Sequence, residues 1–177
     1  MSIKTLGSRI AYENRWLRLR EDQIERPDGS RSIYGVVEKP DFALVIPQMD
    51  HEFVLVEQYR YTVRARCLEF PQGAWEDAPN ANPEDLARGE LREETGLLAG
   101  NMRYFGKYQS AYGFSQQAFH VFLATNLTDG DSSPDPEEHD ITVHRVPISK
   151  FEGMILAGEI VDSHTLAAYL LYRMNGY

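Results

Sequence analysis

The chain has a single cysteine, Cys67, in 177 residues, so an intramolecular disulfide and a multi-thiolate zinc site are both excluded. No run of about 18 apolar residues occurs, so no membrane-spanning helix is expected. The N-terminus, MSIKTLGSRIAYENRW, lacks the apolar stretch of about 7 to 15 residues that marks a secretory leader, and a cytoplasmic location is the expectation. His51, His120, His139, His144 and His164 show neither H-x-x-E-H nor H-E-x-x-H spacing, which argues against a transition-metal centre. Positive charge is scarce: 18 Lys plus Arg against 27 Asp plus Glu give a net of −9. Such a surface repels nucleic-acid backbones, so no nucleic-acid polymer and no membrane are expected as partners. If the ligand is nonetheless a small phosphate compound, a cation has to mediate. The remaining composition, 42% hydrophobic and 25% charged, is that of an ordinary globular chain, and the length suits one domain with a sizeable core.

Trp16 to Glu25 and Arg31 to Glu38 alternate apolar and polar residues around Pro27-Asp28-Gly29-Ser30, which predicts an N-terminal antiparallel β-hairpin within residues 1–38. Residues 39–177 form the core of the expected domain. Phe42 to Gln48 and Phe53 to Tyr59 read as core strands, Arg66 to Phe70 as a short one, and Met102 to Gln109, Gln117 to Ala124 and Ile141 to Val146 as three more. Thr128 to Asp140 reads as a solvated acidic loop. A helix is predicted over Pro83 to Thr95, with Asn82 as N-cap, proline at the first position and Gly96 as a left-handed terminator. Ser149 and Glu152 suggest a capping box for a second helix ending near Gly158. Asp162 opens a third with Leu166, Tyr169, Leu170 and Met174 on one side. Mixed strands with late helices point to an α/β sandwich.

The first helix carries the chemistry. Glu90, Glu93 and Glu94 fall within an arc of about 100° on one face, where like charges repel. A solvated acidic face is the ordinary reading of such a cluster. Against it, Arg92 lies off that arc, and a glycine-bearing loop, Phe70-Pro71-Gln72-Gly73, precedes the helix. A hard divalent cation held by carboxylate and carbonyl oxygens would relieve the repulsion.

Glu90-Leu91-Arg92-Glu93-Glu94-Thr95-Gly96-Leu97 resembles the second half of the Nudix box, G-x5-E-x7-R-E-U-x-E-E-x-G-U, at every specified position from Glu90 onward. The upstream half departs. Gly89 stands at the box arginine and Ala81 at the upstream glutamate, while Gly73 lies two residues too far away. In the family both lost side chains brace the catalytic glutamates; Arg88, Glu76, Asp77 and Glu84 are the candidates to replace them. Glycine inside a helix costs about 1 kcal/mol against alanine, so close packing at Gly89 is expected to require it. The hairpin, Glu57-Gln58-Tyr59-Arg60, Leu68-Glu69-Phe70-Pro71-Gln72-Gly73, Gly113-Phe114-Ser115 and Gly158-Glu159-Ile160-Val161-Asp162 with Thr165 resemble the ADP-ribose pyrophosphatase branch. Tyr112 stands where that branch has proline, and Gln116-Gln117 where it has an acidic residue.

The resemblance implies a Nudix-type α/β/α sandwich with a mixed sheet, and Mg²⁺-dependent (or Mn²⁺-dependent) hydrolysis of a nucleoside diphosphate sugar to a nucleoside monophosphate and a sugar phosphate. It also implies a homodimer formed through the N-terminal strands. Glu90, Glu93, Glu94 and a backbone carbonyl near Gln72 would hold the metal, with Glu93 and Glu94 catalytic. Glu138 on the acidic loop would be the general base, with Glu137 and Asp140 as alternatives. Arg60 is the phosphate contact, Glu69 orients ribose or braces Arg60, and Arg64 and Arg66 stand in reserve. Trp16, Tyr34 and Trp75 are aromatics able to stack a base but more ordinary as core; His120 and Cys67 read as packing. Dinucleoside polyphosphates and nucleoside triphosphates remain open as substrates. So do a non-catalytic nucleotide sensor and an acidic interaction domain.

Overall fold

A computed structural model describes residues 2–75, 77, 78, 80–130 and 140–177. Three N-terminal strands, β1 (Lys4–Glu13), β2 (Arg18–Glu25) and β3 (Arg31–Glu38), form an antiparallel sheet. The expected hairpin is β2 and β3, in register from Arg18 opposite Glu38 to Glu25 opposite Arg31. The added strand, β1, is exposed along its whole length. Register shifts between Thr5 and Gly7 and between Ile10 and Tyr12 reverse its alternation twice, which hides the two-residue period in the sequence.

The chain continues through β4 (Phe42–Met49), β5 (Glu52–Arg60), β6 (Ala65–Glu69), β7 (Gln72–Gly73), α1 (Pro83–Thr95), β8 (Leu97–Gln109), β9 (Ala118–Asp129), β10 (Thr142–Pro147), α2 (Ile148–Leu156) and α3 (Ser163–Met174). The second sheet is mixed. Its order is β10-β5-β4-β9-β8, with β4 and β9 parallel. Both faces of β4 are covered, so Phe42 to Ile46 read as an unbroken apolar run. Phe42, Leu44 and Ile46 join Phe53, Phe151, Tyr169 and Tyr172 on the α2–α3 side, while Ala43 and Val45 meet Leu86, Ala87 and Leu91 of α1 on the other. That is the α/β/α sandwich the sequence implied.

One detail of the topology builds the site. β4 and β5 pair only at their turn, Gln48 with Phe53 and Met49 with Glu52, and then splay. The segment from Ala65 to Gly73 fills the fork: β6 pairs β5, β7 pairs β4 through Leu44–Gln72 and Ala43–Gly73, and Val45 N donates to Pro71 O at 2.9 Å.

The two late helices differ from expectation. α2 begins at Ile148 with Pro147 as its N-cap and no side-chain cap, so the Ser149–Glu152 capping box does not form. Ile148 N donates to His51 O at 2.9 Å, so this N–H is satisfied from the β4–β5 turn. Glu152 instead accepts from the Tyr169 hydroxyl at 2.8 Å. In α3 the buried side is Thr165, Ala168, Tyr169 and Tyr172, whereas Leu170 and Met174 face outward. The rings of Tyr169 and Tyr172 pack edge-on against Phe53, at 6.1 and 5.0 Å, and set that rotation.

α1 forms over the predicted residues. Asn82 accepts from Glu84 N at 2.8 Å, and Gly96, at φ 72°, returns its N–H to Arg92 O. The Asn82→Ala variant is expected to lose about 1 kcal/mol of stability in urea unfolding with an unchanged m-value.

Candidate active site

The core-facing stripe of α1 runs Leu86, Ala87, Glu90, Leu91, Glu94. Helical spacing thus carries two carboxylates onto the face that packs the sheet, and Glu90 and Glu94 are each only 4% exposed. A solvated acidic face does not describe these two residues. Glu93 is half-buried and reaches the adjoining cavity.

Both buried carboxylates rest on the backbone of the inserted segment. Gln72 N donates to Glu94 Oε2 at 3.0 Å. Gly73 lies against Glu90 so closely that a Cβ there would stand 2.2 Å from Glu90 Oε2. Only glycine fits. The second glycine, Gly89, has the same kind of explanation: a Cβ would stand 2.2 Å from Trp75 Cζ2, so the indole lies directly on the helix at the position of the missing arginine. Arg88 does not take over that bracing, because it pairs with Glu84 at 2.8 Å and donates to Ala99 O at 2.8 Å. Asp77 lines the cavity, and Glu76 lies outside the described residues.

The cavity beside α1 measures about 1150 Å³. Glu90, Glu93, Gln72, Glu69 and Arg60 line it together, as do Arg15, Lys39 and Arg66. Four cations thus share one cleft with Glu69, Asp77, Glu90, Glu93, Glu159 and Asp162, so the cleft gathers charge of both signs. Arg60 Nε donates to Glu69 Oε1 at 2.8 Å. Glu69 is 3% exposed; burial pushes its carboxyl above the usual range, and Arg60 opposes the shift. Gln72 Nε2 bridges Glu69 Oε2 at 3.2 Å and Asp162 Oδ2 at 3.1 Å. Burial would raise Asp162 as well, but bonds from His164, Thr165 and Gln72 hold it well below the usual carboxylate range.

The other expected residues fall variously. Asp140 accepts from Tyr59 N and from Arg66 Nη1, both at 3.1 Å, and these contacts hold it low; Glu137 and Glu138 lie outside the described residues. Arg66 is thereby engaged with Asp140 as well as lining the cavity, whereas Arg64 is exposed in the turn after β5. Trp16, 42% exposed under the Arg15 guanidinium, lines the cavity, while Trp75 both lines the cavity and packs against the core on the α1 side. Tyr34 donates to Gly113 O at 2.6 Å. His120 meets the Tyr104 hydroxyl and is lowered by burial, and burial raises the Cys67 thiol, as packing residues should behave. Arg15, Lys39, Asp162 and His164 were not singled out as site residues. Asp162 carried a signal, as the cap of the last helix; the others become neighbours of the glutamates only through tertiary folding.

Among the described residues no three His, Cys, Asp or Glu side chains converge as a ready-made metal cage. The donors at hand are carboxylates and backbone oxygens, a hard-cation set suited to an ion that keeps waters and substrate oxygens.

Residues 38–168 match the NUDIX domain, and residues 3–37 match the nucleoside diphosphate sugar hydrolase N-terminal domain. An ADP-ribose pyrophosphatase from Mycobacterium tuberculosis is 33% identical over 169 residues, spanning 94% of this chain and 81% of the relative. An ADP-ribose pyrophosphatase from Bacillus subtilis is 26% identical over 93% of this chain and 89% of its own length. A crystal structure of an ADP compounds hydrolase superposes with a TM-score of 0.88 at 19% identity, covering 98% of this chain and 94% of the other.

Replacing Arg60 by Ala leaves the buried Glu69 carboxylate without its cation. The variant is expected to lose about 2 kcal/mol at pH 7, moderated because Arg60 is partly exposed. Glu69 has a raised folded-state pKa, so the protonated form favours the fold and the penalty grows with pH. The loss should therefore shrink as pH falls toward about 4, where the carboxyl also protonates in the unfolded chain. Thermal melting of both proteins across that range checks the sign.

Proposed function

Because this chain belongs to the Nudix family and is a pyrophosphohydrolase of it, we propose that it cleaves the diphosphate linkage of a nucleoside diphosphate sugar such as ADP-ribose. The products are a nucleoside monophosphate and a sugar phosphate, and the cofactor is Mg²⁺, with Mn²⁺ able to replace it. One observation carries the reading: Glu90 and Glu94 are buried against the backbone of Gln72 and Gly73, beside a cavity that also presents Arg15, Lys39, Arg60 and Arg66.

The residues present fit the cation. Gly73 leaves the Glu90 carboxylate in a place from which a Cβ would displace it, and the donor set is oxygen alone. Glu90, Glu94 and the Gln72 backbone carbonyl would hold it, with Glu93 completing or orienting the shell. When bound it offsets charge on the phosphate oxygens and acidifies a water. Arg60 presents a guanidinium to the diphosphate, oriented by its bond to Glu69. Glu138 takes the proton of the attacking water; Asp140 is less suited, since its oxygen is already held by Tyr59 and Arg66. Arg15 and Lys39 add positive charge that attracts an anionic substrate.

The N-terminal sheet supports a homodimer: Leu6, Ile10, Tyr12 and Ile33 are all more than two-fifths exposed on it. Among the described residues no helix is long and apolar enough to cross a membrane, and the cytoplasm is the proposed location.

A panel of nucleoside diphosphate sugars, dinucleoside polyphosphates and triphosphates with Mg²⁺, scored for nucleoside monophosphate release, tests the substrate. Preference for a triphosphate would replace the reading. Glu94→Gln is expected to cut turnover on the order of 100- to 1000-fold, and full retention would sink the proposed metal site. Gly73→Ala should cost about 100-fold in kcat by displacing Glu90, with a far smaller change in Tm.

A further inference from the structure

The first turn of α3 grips the inserted segment at two points. Thr165 Oγ1 accepts from the buried Phe70 N at 3.0 Å. Asp162 Oδ2 accepts from Gln72 Nε2 at 3.1 Å as well as from Thr165 N at 2.8 Å. Helix capping accounts for one of these contacts of Asp162 and leaves the other unexplained. Gln72 connects three carboxylates, since its side-chain amide donates to Glu69 and Asp162 while its backbone N–H donates to Glu94.

Asp162 is itself fixed. Its second oxygen faces His164 Nδ1 at 3.4 Å, and His164 Nε2 lies 2.8 Å from Ser110 Oγ. The imidazole packs edge-on against Phe42 and Phe119 at 5.1 and 4.9 Å, so the whole chain of contacts is anchored in the core. It runs from the end of β8, through the first turn of α3, to the backbone under Glu90 and Glu94.

We propose that Asp162 is a positioning residue for the hydrolytic site: by holding the Gln72 side chain it keeps the Glu69–Gly73 segment where its backbone seats Glu90 and Glu94. This rests on the hydrolase reading above. Loss of the Gln72 anchor leaves Asp162 and Glu69 facing each other without their shared donor and frees the segment to drift in the fork between β4 and β5. Contacts that orient metal-holding groups from behind are worth on the order of 10-fold in affinity or activity when removed.

The test is a double-mutant cycle of Asp162→Ala and Gln72→Leu in the full chain. Titration calorimetry with Mn²⁺ alone, thermal melting, and kcat and KM are recorded for each protein. Each single variant should weaken Mn²⁺ binding and lower kcat on the order of 10-fold, and the double should be no worse than the worse single, because the one bond common to both is already lost in either. Gln72→Leu leaves the Thr165 cap intact but strips a donor from two carboxylates, so its Tm should fall less than that of Asp162→Ala, which also loses the cap. If Asp162→Ala does not fold, Asp162→Ser takes its place, since the shorter serine hydroxyl is still an N-cap for Thr165 N–H but does not extend to the Gln72 amide.

Unaltered Mn²⁺ affinity in Gln72→Leu, additive losses, or an Asp162 variant changed only in Tm would overturn the proposal. A parent chain that binds no Mn²⁺ overturns it together with the metal reading. Should the parent hydrolyse no nucleoside diphosphate compound yet bind Mn²⁺, the substrate reading fails and the calorimetric cycle still decides the positioning role.

Discussion

The structure turns on the burial of two carboxylates on the core-facing stripe of one helix. Leu86, Ala87 and Leu91 drive α1 onto the sheet, and the same helical register carries Glu90 and Glu94 inward to 4% exposure each. Charge in that position is costly unless something polar meets it. The backbone of Gln72 and Gly73 meets it, and the fork between β4 and β5 exists to place that backbone there. Apolar burial on either side of the glutamates thus holds like charges together that would repel on a free helix.

Charge elsewhere is arranged around this constraint. The chain is acidic overall, yet Arg15, Lys39, Arg60 and Arg66 share one cleft with Glu90 and Glu93. Arg60 and Arg66 are held by Glu69 and Asp140, which fixes where their charge points. The surface field disfavours a polyanion, and within the cleft the four cations stand among six carboxylates. By contrast, the N-terminal sheet carries several exposed pairs, such as Arg9–Glu21 and Arg18–Glu13, of little energetic weight. Its exposed apolar residues are the more consequential feature.

Much of this was legible locally. The cap signals around α1 locate the helix to the residue, and the spacing of Glu90, Glu93 and Glu94 singles out the chemistry. Failures came where a distant contact overrode a local pattern. Ser149 and Glu152 have the spacing of a capping box, but His51 already takes the first N–H of α2. Leu170 and Met174 look like the core face of α3, yet the fit of Tyr169 and Tyr172 against Phe53 turns them outward. Bulges in β1 scrambled the alternation that would have revealed it.

Sequence alone determined the carboxylate triplet, its helix and the family to which both belong, because helical spacing and capping are properties of neighbouring residues. Tertiary structure alone decided that Glu90 and Glu94 are buried while Glu93 reaches the cavity. It also decided that Gly89 is required by Trp75, and that Asp162 stands behind Gln72. Those facts join residues 14 to 90 positions apart, and no local propensity encodes which distant side chain arrives at a given backbone atom. The chain's few cations are placed in the same way: folding brings four of them to the cleft that Glu90 and Glu93 line.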